Sequence, residues 1–135
     1  MADCLLNICI IDDDRIYQFA AKKTIEATRL AKKITVFSNG EEAIEYLKSI
    51  ANDLNQIPDI IFLDINMPVM NGWEFLEAYK TMQFLQKKLI NIYVVSSSVS
   101  DYDIVRSKEF SAVSGYVIKP VCKDKFLELL LPLCI

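Results

Sequence analysis

Leu6 to Ile11 is a nearly continuous apolar run, rich in isoleucine, that stops at three consecutive aspartates. A short apolar run without helical period, bounded by charge, predicts a strand buried on both faces. The pattern returns at Ile34 to Phe37, Ile60 to Leu63, Ile90 to Val95 and Tyr116 to Ile118. Between these runs the chain predicts helices at Arg15 to about Arg29, Glu42 to about Ile50, Trp73 to about Gln83, Asp101 to about Phe110 and Lys123 to Leu131. The first rests on length and propensity, because its apolar positions (Ile16, Tyr17, Phe19, Ala20, Ile25) form no narrow stripe. Asp14 is suited to cap it, and Ser38 with Glu41 and Ser100 with Asp103 stand at capping-box spacing before the second and fourth. Pro132 is expected to stop or kink the last. Doubly buried strands alternating with helices predict an α/β fold, a doubly wound five-stranded parallel sheet with helices on both faces.

Right-handed crossovers bring the carboxyl ends of all parallel strands to one edge, where open α/β sheets place their functional crevice. The unusual polar residues of this chain fall there. Strand one ends in Asp12, Asp13 and Asp14, strand three in Asp64, strand four in Ser96, and strand five in Lys119. A lone strand-terminal aspartate reads as a helix cap; this ordered set reads as a site. Carboxylates of Asp12, Asp13 and Asp64 repel one another until one takes up a proton or a cation neutralises them. Hard oxygens with open water positions suit Mg²⁺. Asp64 is then placed to attack a phosphoryl group, with Lys119 as a second fixed positive charge and Ser96 as a hydroxyl donor.

Composition narrows the chemistry. The 135 residues make one domain, 1–135, with no separate output domain expected. Histidine is absent, which removes serine–histidine and cysteine–histidine nucleophile pairs and histidine zinc sites. The three glycines, Gly40, Gly72 and Gly115, cannot build a dinucleotide or phosphate loop. A net charge of −3, with basic residues scattered in short pairs, argues against nucleic-acid binding. Cys4, Cys9, Cys122 and Cys134 include no C-x-x-C pair and are expected as reduced, structural thiols of a cytoplasmic protein. The longest apolar stretch, Leu129 to Ile135, is too short to span a bilayer, and no membrane insertion is expected.

Four blocks of sequence carry a resemblance. They are Asp12-Asp13 after Ile8 to Ile11; Ile61-Phe62-Leu63-Asp64-Ile65-Asn66-Met67-Pro68 with Asn71-Gly72; Val94-Val95-Ser96-Ser97; and Gly115-Tyr116-Val117-Ile118-Lys119-Pro120. Together they resemble the receiver domain of two-component response regulators, of the CheY-like single-domain type, over about Leu5 to Leu131. The resemblance implies a flavodoxin-like strand order 2-1-3-4-5 and a phosphoacceptor switch in a His-Asp phosphorelay, not an enzyme acting on small substrates. It makes Asp64 the phosphoacceptor and Asp13 a direct ligand of Mg²⁺ or Mn²⁺. Asp12 would act through metal-bound water, and the backbone carbonyl of Asn66 would complete the shell. Ser96 stands where the family more often has threonine, and Ser96 with Tyr116 would form the switch. The Lys119–Pro120 bond is expected to be cis. The segments Ile50 to Ile57 and Phe84 to Asn91 exceed a minimal receiver and resemble insertions in phytochrome-associated receivers.

The implied partners are a sensor histidine kinase or histidine phosphotransfer protein and a downstream protein target. A homodimer through helix four, strand five and helix five is the further expectation. In helix five, Phe126, Leu127, Leu129, Leu130 and Leu131 spread over about 200°, wider than the roughly 100° of one core face. Leu129 or Leu131 is therefore expected at the rim. Two other readings compete. A phosphatase with an aspartyl-phosphate intermediate needs an acid two residues after its nucleophile, where this chain has the amide of Asn66. A phosphorylation-independent interaction module is expected to lack an acid or the lysine, and here none is missing.

Overall fold

The computed structural model describes residues 5–82 and 88–134. The strands are β1 (Leu6–Ile11), β2 (Ala31–Phe37), β3 (Ile60–Leu63), β4 (Asn91–Ser96) and β5 (Val113–Ile118). The helices are α1 (Arg15–Ala27), α2 (Gly40–Ser49), α3 (Gly72–Lys80), α4 (Asp101–Lys108) and α5 (Lys123–Leu130), and Leu131–Cys134 adds a 3₁₀ turn. All strand pairs are parallel, in the order β2-β1-β3-β4-β5. The expected fold class and strand order are both present.

Alternation along each strand divides the core into two layers. Cys9, Ile11, Ile61, Leu63, Ile92 and Val94 face α2 and α3, meeting Leu47, Trp73 and Leu76. Ile8, Ile10, Ile60, Phe62, Val95 and Val117 face the opposite side, meeting Ala21 and Ile25 of α1 and Phe126 and Leu130 of α5. The strand runs are continuous in hydrophobicity because both faces are covered. Burial also pushes the Cys9 thiol up to about 12, so it is inert packing.

Several local expectations shift. The cap of α2 is Asn39 rather than Ser38: its side chain accepts from Glu42 N–H at 3.0 Å, while Glu42 reaches back to Ser38 N–H at 3.3 Å. Ser38 is otherwise engaged, accepting from the Gln18 side chain at 3.3 Å. Ser100 does cap α4, but Asp103 makes no capping box; it accepts from the Ser98 hydroxyl at 2.8 Å. A capping box closes instead on Asn71 and Glu74 at the start of α3. That helix ends at Lys80, and Gln83 lies outside the described residues, as does part of the long Phe84 to Asn91 segment. Leu129 is buried against α1 and the sheet, whereas Leu131, beyond the end of α5, is exposed. Cys134 is disulfide-bonded, against the expectation of reduced thiols throughout; Cys9 and Cys122 are free. No helix among the described residues is long and apolar enough to cross a membrane.

One glycine sets the approach of α3 to the sheet edge. A Cβ on Gly72 would lie 2.4 Å from the Asp64 carbonyl oxygen and 2.9 Å from Ile65 Cα, and Gly72 N–H donates to Ile65 O at 2.8 Å. A Cβ on Gly115 would meet only the Tyr93 ring, at 3.0 Å. Main chain cannot yield as a ring can. Gly72→Ala therefore lowers the unfolding free energy by about 1–3 kcal/mol, and Gly115→Ala by less. Chemical denaturation checks this, and a Gly72→Ala chain as stable as the native one contradicts it.

Candidate functional site

The site is built from the first residues beyond the strand ends. Each still donates its N–H to the neighbouring strand: Asp12 to Phe37 O, Asp64 to Ile11 O and Lys119 to Ser96 O, each at 2.9 Å. The ladder thus fixes these backbones one step past the sheet, leaving the side chains to converge at its edge. Asp12 Oδ1 accepts from Asp14 N–H at 2.9 Å, and Asp14 Oδ1 accepts from Ile16 and Tyr17 N–H at 2.9 and 3.1 Å. Asp14 is accordingly the helix cap the sequence suggests, turned away from the acidic pair to hold α1.

Oxygens of Asp12, Asp13 and Asp64 lie within 4.8 Å of one another. Asp12 is 2% exposed and Asp64 7%, while Asp13 is open to solvent. Lys119 Nζ pairs with Asp12 Oδ2 at 2.7 Å and stands 3.8 Å from Asp64 Oδ1. Asp64 Oδ1 also accepts from Ile65 N–H at 2.9 Å. Burial first, then the charge of Asp12, push the Asp64 carboxyl up to about 6; Lys119 and the Ile65 N–H pull the other way without cancelling them. A buried carboxyl with a surplus of neighbouring negative charge, beside an exposed third acid, offers hard oxygens to a divalent cation.

On the other flank, Ser96 is buried and its Oγ accepts from Ser98 N–H at 3.0 Å. Tyr116 is half-buried, and its hydroxyl donates to Ser98 O at 2.9 Å. Both residues hold the same point of the β4–α4 loop. Asn66 lies exposed on the loop after β3. The Lys119–Pro120 peptide bond is cis.

Three features escape the sequence pattern. Gln18 donates its side-chain amide to the Asp12 carbonyl oxygen and, at 3.3 Å, to Ser38, tying the ends of β1 and β2 to α1. Val69 has φ 67°, rare for a β-branched residue, and Met70 N–H donates to Pro68 O at 2.7 Å, so a γ-turn shapes the loop after Asp64. The Tyr17 ring lies against Lys119. Only Pro68 in the second of these was a visible signal.

A family model described as the response regulator receiver domain matches residues 8–131. The nitrate/nitrite response regulator protein NarL of Escherichia coli (strain K12) is 34% identical over 129 residues, covering 92% of this chain and 52% of that protein. The chain therefore spans about half of that relative's length. A two component response regulator from Cytophaga hutchinsonii superposes with a TM-score of 0.85 at 28% identity, over 96% of this chain and 97% of that one. The bacteriophytochrome response regulator RtBRR superposes with a TM-score of 0.75 at 28% identity, over 97% of this chain and 79% of that one. With the acidic cluster, the lysine and the buried serine at the edge of a 2-1-3-4-5 sheet, these likenesses establish that the chain belongs to the response regulator receiver domain family.

Proposed function

We propose that this receiver domain is a phosphoacceptor switch whose acceptor is Asp64. The observation that carries the reading is the buried Asp64 carboxyl, crowded by Asp12 and Asp13 and faced by Lys119. Oδ1 is engaged by the Ile65 N–H and lies near Lys119, which leaves Oδ2 to attack. Attack on phosphorus forms the Asp64 O–P bond and breaks the bond to the leaving group, a histidine nitrogen when the donor is a histidine kinase or a histidine phosphotransfer protein. That nitrogen keeps the electron pair and takes a proton from solvent. Lys119, already within the site, pairs with a phosphoryl oxygen. The oxygens of Asp12, Asp13 and Asp64, with the backbone carbonyl of Asn66, fit Mg²⁺ or Mn²⁺, which when bound supplies positive charge to carboxylate and phosphoryl oxygens. Asp13 is the direct ligand in this reading, and Asp12, held by Lys119, acts through water.

The signal leaves through Ser96. A phosphoryl group on Asp64 draws the Ser96 hydroxyl and breaks its bond to Ser98 N–H, freeing the loop that Tyr116 also holds. In and beyond that loop Val99, Tyr102 and Val105 are 71%, 70% and 57% exposed, and Ile118 and Leu131 are 39% and 50% exposed. This face of α4, β5 and the end of α5 is the surface for a downstream protein or a second copy of the chain. The inert-module reading is not favoured, because every acid and the lysine are present and in contact.

Acetyl phosphate with Mg²⁺ adds one phosphoryl group to the native chain, seen by intact mass, and none to Asp64→Asn. Addition that persists in Asp64→Asn, or that needs no divalent ion, refutes the assignment. Ser96→Ala and Tyr116→Ala stay phosphorylatable but lose most of the change that beryllofluoride induces in the α4–β5 amide resonances. Two variants with the full native response would overturn the Ser96 and Tyr116 route.

A further inference from the structure

Tyr17 takes no part in the chemistry above, yet its ring is built into the site. It sits half-buried in the first turn of α1, with its body packed on the core layer shared by α1 and α5. The ring centroid is 4.2 Å from Lys119 Nζ, whereas the other lysine–ring contacts among the described residues are 5.5 to 5.9 Å. An ammonium within about 6 Å of an aromatic face is attracted by its quadrupole, more strongly when desolvated. Lys119 is 19% exposed, and its ammonium points to Asp12 on one side and Asp64 on another. The ring covers a side from which water would otherwise hydrate it.

The turn that carries the ring is fixed to the acidic pair. Asp14 accepts from the Tyr17 N–H and donates its own N–H to Asp12, and Gln18 donates to the Asp12 carbonyl oxygen. Ring, acids and lysine are thereby held by one short stretch of chain and one strand end.

We propose that Tyr17 is a positioning residue for Lys119: its ring face keeps the ammonium in the acidic site and dry. Lys119 then passes from Asp12 to an oxygen of the phosphoryl group arriving at Asp64 without leaving the site. This rests on the assignment of Asp64 as phosphoacceptor. Without the ring, the ammonium hydrates and samples positions outside the site, so phosphoryl transfer slows, while cation binding by the acids, relieved of a competing positive charge, does not weaken.

The test measures phosphorylation by acetyl phosphate with Mg²⁺, followed by intact mass, alongside Mg²⁺ affinity by calorimetry. Tyr17→Phe keeps the ring and stays within about twofold of the native rate, whereas Tyr17→Leu slows it about fivefold. Mg²⁺ affinity does not fall in either variant. Tyr17→Met, also without a ring, carries the same expectation and replaces the leucine variant should that unfold. A ringless variant at the native rate, a phenylalanine variant as slow as the ringless ones, or Mg²⁺ affinity falling in step with rate overturns the proposal. A native chain that gains no phosphoryl group on Asp64 instead refutes the acceptor assignment, a separate outcome.

Discussion

The rest of the structure is arranged around two carboxylates that the fold buries side by side. Asp12 and Asp64 end adjacent strands, so ladder pairing alone forces their side chains together, and the low polarity of the sheet edge magnifies their repulsion. Lys119 pairs with Asp12 at 2.7 Å and offsets the crowding at Asp64 only in part, which leaves Asp64 raised to about 6. The sign of the consequence is definite. A carboxyl whose folded value lies above its unfolded one, near 3.8, favours the fold while protonated, and that contribution is lost as pH rises from about 4 to 6. At neutral pH the uncompensated charge is a stored cost. In the proposed reading, a divalent cation or a bond to an electrophile at Asp64 would remove it.

The same geometry links the edge to the surface. Ser96, last residue of β4, holds Ser98 by its main chain; Ser98 holds Asp103 in the first turn of α4; Tyr116 holds Ser98 from β5. These bonds join Ser96 to the start of a helix that exposes Tyr102 and Val105. Coupling of this kind shifts a balance between two existing arrangements by no more than its preference for one of them. Gly72 serves the opposite purpose, pressing α3 against the Asp64 backbone so that the acid itself cannot retreat.

Much of this was legible in the sequence, for a physical reason. Asp12, Asp64, Ser96 and Lys119 each close an apolar run, and the parallel topology carries such closures to one edge. Asp14 was legible as a cap because an aspartate before a helix has few other uses. Ser38 failed as the cap of α2 because the adjacent Asn39 can cap as well, and the fold engages the Ser38 hydroxyl with Gln18 instead. Of the two leucines expected at the rim, Leu131 is there and Leu129 is buried, because helical angle tells where a side chain points and not what covers it. Tyr17 was hidden for a deeper reason: α1 shows no clean stripe, and the ring's partner lies at the far end of the chain. The Cys134 disulfide was hidden too, since cysteine spacing alone does not fix pairing.

The central claim is that the crowding of like charge at Asp64 prepares it to receive a cation and a phosphoryl group. Titration of the Asp64 carboxyl carbon by nuclear magnetic resonance, without and with Mg²⁺, tests it directly. The expected midpoint without divalent ions is near pH 6, and Mg²⁺ is expected to move it downward. An Asp64 that titrates in the ordinary carboxylate range, with a midpoint indifferent to Mg²⁺, would contradict the account.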